Sequence, residues 1–461
     1  MKDLFNICNG SDSYKMSHDK MYLPGTETVY SYFESRSGSK WNETVFFGLQ
    51  QIMLRYFAGK VVTKEKIDEA ERKMTRHLGS YDRTRWEYIL EHFNGKLPIK
   101  IHAVDEGTPV PINNVMITVE NMGGEATKWL TNYVETIITH VWHSSNVATL
   151  SREVKKMIIK SLEKTCESGK DFPGLAFMLH DFGYRGTSSV ESAGTGGAGH
   201  LVNFEGTDTT IAMDYVEEYY NSEVGYSVNA TEHSVMTALG KEGEAEVIQN
   251  LLNEFPTGIL SVVSDSYDIF NCVENLYGER FKEQILNRAD GDTFVIRPDS
   301  GDPVKTCMKL LEIMSNKFGF TINSKGYKVI NPKVRLIWGD GIGPDGIQSI
   351  LTAITEIGYS AENMVFGAGG ALLQKHNRDT QRNAFKCSSQ YRNEKWNDVY
   401  KSPLDTSKTS KRGRLKLISD NNTMKTVRIE EDGENLLKLV FECGSLMNIQ
   451  NFEDIRKRAS L

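Results

Sequence analysis

The chain has 461 residues, of which 39% are hydrophobic and 25% charged, and its net charge of −7 excludes a global basic field for nucleic acid or anionic membrane. An anionic substrate must therefore be met by local cations. The N-terminus turns polar at once, no apolar run approaches the roughly 20 residues of a membrane span, and the six scattered cysteines form no CxxC pair, so a cytoplasmic enzyme with free thiols is expected.

At about 150 residues per domain, roughly three domains are expected, although one barrel absorbs 250 or more. In chain order, strand character appears first at 29–33, 97–104 and 115–119. A mostly apolar helix is predicted over 130–142 and an amphipathic one over 151–164. Six apolar runs follow, each read as a buried strand that hands over to polar or glycine residues. They are 177–179 into His180-Asp181-Phe182-Gly183-Tyr184-Arg185, 200–204 into Glu205-Gly206-Thr207-Asp208, 260–263 into Ser264-Asp265-Ser266, 294–296 into Arg297-Pro298-Asp299-Ser300-Gly301, 334–338 into Gly339-Asp340-Gly341, and 364–366 into Gly367-Ala368-Gly369-Gly370. Helices are predicted between them at 209–220, 230–255, 267–287, 303–318 and 345–357. From residue 260 onward the runs recur at the length of a βα unit, which predicts a parallel sheet. Chemistry at successive strand ends favours a closed barrel. Strands at 414–418, 424–430 and 436–442 look like a meander, with turns at Asp420-Asn421-Asn422 and Glu431-Asp432-Gly433. The expected fold class is thus α/β: an irregular (β/α) barrel over 126–384, and a second, β-rich domain built from 1–125 and 385–461.

The motifs vary in weight. Gly194-Thr195-Gly196-Gly197-Ala198-Gly199 satisfies G-x-G-x-x-G, but no strand precedes it, so a loop or tight helix packing competes with a dinucleotide site. Gly339-Asp340-Gly341 and Gly369-Gly370 do follow apolar runs, at the last two strand ends, where barrels often bind phosphate; plain turn glycines are the bland alternative. His233 is a lone histidine near a helix start, usually a structural position. Arg297 with Asp299 is either an ion pair or a binding couple. His140-Val141-Trp142-His143 lacks a zinc pattern, and a magnesium ion held mainly through substrate phosphates would leave little motif. The basic set Lys408, Lys411, Arg412, Arg414 and Lys416 reads as a solvated loop or a gate for polyphosphate.

Taken together, the chain resembles the nicotinamide phosphoribosyltransferase family of type II phosphoribosyltransferases nearly end to end. The resemblance is carried by Asp12-Ser13-Tyr14-Lys15, Tyr30-Ser31-Tyr32-Phe33-Glu34, 130–136, 179–186, 201–208, Gly225-Tyr226-Ser227-Val228, Glu232-His233-Ser234, 261–268, 296–301, Gly339-Asp340-Gly341, Leu372-Leu373-Gln374-Lys375 and Gly413-Arg414-Leu415. The segment after Arg36 is short compared with the animal enzymes, which implies a bacterial or viral version.

The resemblance implies transfer of phosphoribosyl from phosphoribosyl pyrophosphate to nicotinamide, with Mg²⁺ and with ATP hydrolysis coupled through a phosphohistidine. It implies a homodimer with shared active sites. Phe182, with Tyr14 of the second subunit, would sandwich the pyridine ring. Asp208 would accept the carboxamide N–H, with Ser261 and Arg297 nearby, and Asp299 would hold the ribose hydroxyls. Arg185, Gly339 and Gly370, with Arg378 and Lys386 of the second subunit, would hold phosphates, and Asp340 and Gly369 would belong to the substrate-binding set. His233 would be the phosphorylated histidine and Asp265 would orient its ring. Two positions depart from the pattern: Ala384 stands where many relatives have Ser, and Trp338 replaces a polar residue beside the ribose. The alternatives are a nicotinate enzyme, or a non-catalytic binding protein on the same fold; an ionised Asp208 argues against the first.

Overall fold

The computed structural model describes residues 4–402, 409–421 and 423–461. The sequence Thr-Glu-Thr-Val-Tyr-Ser-Tyr-Phe-Glu, dominated by β-branched and aromatic residues, forms the strand Thr26–Glu34. Both halves of the chain pair with it, antiparallel: Val115–Asn121 on one edge and Ala384–Arg392 on the other. The sheet extends through Ile99–Ala103 to Lys438–Glu442 and Ser445–Leu446, and on its other side to Lys395–Asp398. Trp86, Trp129 and Tyr133 meet edge to face at 4.9–5.3 Å in the core against it. The N- and C-terminal regions do build a β-rich unit together.

The expected meander is corrected. Leu415–Asp420 and Thr423–Arg428 form a separate hairpin, while Lys438–Glu442 leaves them to pair with Ile99–Ala103. Of the first predicted turn, Asn422 lies outside the described residues; Asn421 adopts φ 48°, a left-handed conformation that Asn tolerates.

The chain divides into two units. One comprises Met1–Thr149, Tyr215–Ser222 and His376–Ser460; the other comprises Leu150–Asp214 and Glu223–Lys375, with Leu461. Residues 126–149, 215–222 and 376–384 thus lie in the unit that holds the β-rich sheet.

The second unit is built on a parallel sheet in the order Leu179–Asp181, Met364–Ala368, Val334–Trp338, Thr293–Arg297, Ile259–Val263, Asn229–Ala230. Its strands are continuous Val, Ile, Leu and Phe runs because helices cover them. Pro303–Phe318 buries Leu310, Leu311 and Met314, and Pro344–Glu356 buries Ile347, Ile350, Leu351 and Ile354. Asp302 caps the first of these, accepting from the Lys305 N–H at 2.8 Å, and proline opens it.

Several predicted elements differ. The run 200–204 is not a strand: His200 and Leu201 finish the helix Val190–Leu201, which Ser189 caps. The G-x-G-x-x-G segment lies inside that helix, where a Cβ on Gly197 would sit 2.5 Å from the Cβ of Ala212. Those glycines serve close helix packing. The missing stave is supplied by 205–208, held by single bridges from Thr207 to Asp181 and from Gly206 to Tyr226, whose segment runs on into Asn229–Ala230. The barrel therefore closes through a seam of two bridges where full ladders would be expected.

Phe177 belongs to a 3-10 turn and is exposed, so the first strand begins at Leu179. Helix 230–255 is interrupted between His233–Met236 and Glu244–Glu254, where Gly240 takes φ 68°. Helix 267–287 contains a π-helical stretch, Cys272–Arg280. The predicted helix 130–142 is two short pieces, Leu130–Tyr133 and Glu135–Thr139, before the long helix Val141–Thr165. Among the described residues no helix is long and apolar enough to cross a membrane.

Candidate active site

The C-terminal strand ends of the second unit surround a cleft of about 840 Å³. It is lined by nine of the residues singled out in the sequence: Phe182, Arg185, Asp208, Arg297, Asp299, Gly339, Asp340, Gly369 and Gly370. Ser261 lines an adjoining apolar cavity of about 360 Å³ that shares Phe182 and Asp208 with the cleft.

Phe182 follows the strand Leu179–Asp181 directly, and its N–H donates to the Ala368 carbonyl at 2.9 Å. Its ring lies against Gly367, where a Cβ would stand 2.0 Å from ring carbon Cε2. No other residue at 367 leaves room for that ring. The His180 ring packs beside it, centroids 4.8 Å apart at 43°.

Asp208 is about half exposed, and its Oδ1 accepts from His180 Nε2 at 2.9 Å and from the Ser227 hydroxyl. Partial burial pushes its carboxyl up. The hydrogen bonds from His180 and Ser227, with the charges of His180 and Arg297, outweigh burial and hold it below the usual carboxylate range. Arg297 donates from Nη2 to the Thr231 carbonyl at 2.8 Å, while its buried Nε has no partner among the described residues.

Asp265 is nearly buried and joins two parts of the site. One oxygen accepts from His233 Nε2 at 3.0 Å; the other accepts from the Asp299 N–H at 3.2 Å and the Ser300 hydroxyl at 2.5 Å. His233 Nδ1 faces Asp299 Oδ2 at 4.0 Å. The glycine loops are also braced. Trp338 is buried, and its indole N–H donates to the Asp340 carbonyl at 2.9 Å, so it supports the Gly339–Gly341 turn from behind and does not line the cleft. A Cβ on Gly186 would meet the Gly370 N at 3.1 Å.

The remaining three predicted residues belong to the β-rich unit. Tyr14 is exposed on the 3-10 helix Ser13–Met21, whose neighbour Lys15 is anchored to Glu135 at 2.6 Å. Arg378 opens a 3-10 turn with a capping box from Asn377 and Thr380. Lys386 lies on Ala384–Arg392; burial pushes its ammonium down, Glu135 pulls it up, and Arg36, Lys401 and Arg378 push it down further. Cations thus gather around Lys386. The basic segment is mostly committed elsewhere: Lys411 pairs with Glu34, Arg412 lies over Tyr400, Arg414 over Trp396, and Lys416 donates to the carbonyls of Glu431 and Gly433. Lys408 lies outside the described residues.

Sequence reasoning passed over His180, Ser227, Thr231 and Lys375, all of which line the cleft or the adjoining cavity. For His180 a signal existed: on an extended segment it shares a face with Phe182, two residues on.

A parallel α/β barrel of this kind with a β-rich second unit is the fold of the type II phosphoribosyltransferases. Nicotinate-nucleotide pyrophosphorylase from Pyrococcus furiosus superposes with a TM-score of 0.62 at 14% identity, covering 100% of this chain and 97% of that one. Human nicotinic acid phosphoribosyltransferase gives 0.55 at 13% identity, covering 97% and 92%. In sequence, residues 177–444 match the nicotinate phosphoribosyltransferase (NAPRTase) family, and residues 6–101 match the nicotinamide phosphoribosyltransferase N-terminal domain. Proteins named nicotinamide phosphoribosyltransferase are similar over almost the whole chain. The one from Xanthomonas campestris pv. campestris is 43% identical over 100% of this chain and 99% of its own length. The one from Acinetobacter baylyi is 33% identical over 98% and 97%. The chain belongs to the nicotinate phosphoribosyltransferase (NAPRTase) family and is an enzyme of the phosphoribosyltransferase class.

Proposed function

We propose that the enzyme transfers phosphoribosyl from phosphoribosyl pyrophosphate to nicotinamide, giving nicotinamide mononucleotide and pyrophosphate in NAD salvage in the cytoplasm. The observation that carries this reading is Asp208, held ionised at a barrel strand end within reach of the Phe182 platform. An ionised carboxylate accepts a carboxamide N–H and repels a carboxylate. At about 4 Å and an effective dielectric near 20, that repulsion is about 4 kcal/mol, roughly a thousandfold in affinity.

The chemistry follows from the lining. The pyridine nitrogen's lone pair attacks ribose C1, the C1–O bond breaks, and its electron pair leaves with pyrophosphate. Positive charge developing on the sugar is stabilised by Asp299, and negative charge on the leaving group by Arg185 and the backbone N–H groups of Gly339, Gly369 and Gly370. The base needs no proton removed. Mg²⁺ suits this donor set: Asp299 and Asp340 line one cleft, and a hard cation arriving on phosphate oxygens asks for one or two carboxylates. When bound, it supplies charge neutralisation on the leaving group.

In the same reading His233 is the residue phosphorylated by ATP. Asp265 accepts from Nε2–H, which leaves the Nδ1 lone pair as the nucleophile. Tyr14, Arg378 and Lys386 of a second copy complete the site in a homodimer. A non-catalytic role is disfavoured by the bonded arrangement of His233, Asp265 and Asp299.

The test is base choice. Asp208→Asn and Asp208→Ser should lose kcat/KM on nicotinamide and gain on nicotinate. A shift in the ratio below about tenfold, or 1.4 kcal/mol, would remove Asp208 as the selector.

A further inference from the structure

The seam that closes the barrel is also where three polar side chains converge. The bridge Asp181 to Thr207 sets His180 beside Asp208, and the bridge Gly206 to Tyr226 sets Ser227 beside the same residue. His180 Nε2 and the Ser227 hydroxyl both bond Oδ1 of Asp208. Among the described residues no hydrogen bond reaches Oδ2. The His180 ring is held by two walls: the Phe182 ring on one side and, on another, Gly206, where a Cβ would lie 2.6 Å from Nδ1. A side chain at 206 would displace the imidazole. The ring's position is thereby fixed, and against an ionised carboxylate, which only accepts, Nε2 is the donor.

We propose that His180 and Ser227 are positioning residues for base selection: by saturating Oδ1, they turn the Asp208 carboxylate so that Oδ2 is the one acceptor offered to the carboxamide. The proposal rests on the reading of Asp208 as selector. Without the two donors, the carboxylate rotates about χ2 and its free oxygen is no longer fixed. The charge that repels nicotinate remains, but the directed bond that favours nicotinamide is lost. The expected signature is a rise in KM for nicotinamide, with the KM for phosphoribosyl pyrophosphate unchanged.

The experiment is a double-mutant cycle on the full chain. His180→Ala and Ser227→Ala are each made alone and in the Asp208→Asn background, with both bases assayed at saturating phosphoribosyl pyrophosphate. In the wild-type background each variant should lower the nicotinamide-to-nicotinate ratio of kcat/KM at least fivefold. Ser227→Thr, which keeps the hydroxyl, should restore it. In the Asp208→Asn background neither should move the ratio more than twofold. Ser227 is exposed, so Ser227→Ala keeps the test alive if His180→Ala does not fold. Wild-type ratios in the folded single variants, or equal losses in both backgrounds, overturn the positioning role while leaving Asp208 as selector. An unchanged ratio in Asp208→Asn itself overturns the selector reading, and this proposal with it.

Discussion

Asp181 and Asp208 flank the same seam and titrate in opposite directions. Asp181 is fully buried; burial pushes its carboxyl up to about 6, although the Gly183 N–H donates to it at 2.7 Å. Asp208, wetter and better bonded, is held low. The signs follow. For Asp181 the folded state binds the proton more tightly than the unfolded state, so its contribution to stability falls as pH rises from about 4 to about 6. A shift of about two units corresponds to roughly 3 kcal/mol. Asp181→Asn should therefore raise Tm at pH 8 and lose that advantage toward pH 4, as thermal unfolding across pH will show; a gap independent of pH would contradict the assignment. For Asp208 the stabilisation is present above the unfolded value and lost only as pH falls through its depressed folded value, so the carboxylate stays ionised between pH 6 and 8. At this scale the matched residues Phe182, Asp208, Arg297 and Asp299 come together as the lining of one cleft. His180 and Ser227 also lie in matched stretches, but their convergence on Asp208 depends on a register set by two bridges between segments 20 or more residues apart, which the sequence does not show.

Among the elements, the uninterrupted apolar strands were readable because burial on both faces removes any alternation. The run 200–204 misled for the same reason: a short apolar stretch at the end of a Gly- and Ala-rich helix has the composition of a buried strand. The helix Val190–Leu201 fits because Gly197 meets Ala212 without a side chain. Gly197→Leu should destabilise by about 1–3 kcal/mol through overpacking. Denaturant unfolding measures this, and a neutral result would mean the two helices separate at no cost. The interrupted helix around Gly240 and the π-helical stretch Cys272–Arg280 left no periodic signal, since each breaks the 3.6-residue pattern that prediction relies on.

For the whole molecule, the β-rich unit made from both chain ends was legible from strand patterns. Its cationic group around Lys386 became visible only where Arg36, Arg378 and Lys401 are brought together. If these serve a second copy's cleft, Asp299→Ala and Arg378→Ala, each inactive alone, should regain activity when their subunits are exchanged; heterodimers without activity would refute shared sites. The account as a whole stands on the reaction itself. The purified protein should be incubated with phosphoribosyl pyrophosphate, Mg²⁺ and equal nicotinamide and nicotinate, and the mononucleotides separated and counted against pyrophosphate released. The account predicts nicotinamide mononucleotide as the dominant product, one per pyrophosphate, with a preference approaching about a thousandfold. Nicotinate mononucleotide as the main product, or no product from either base, would contradict it.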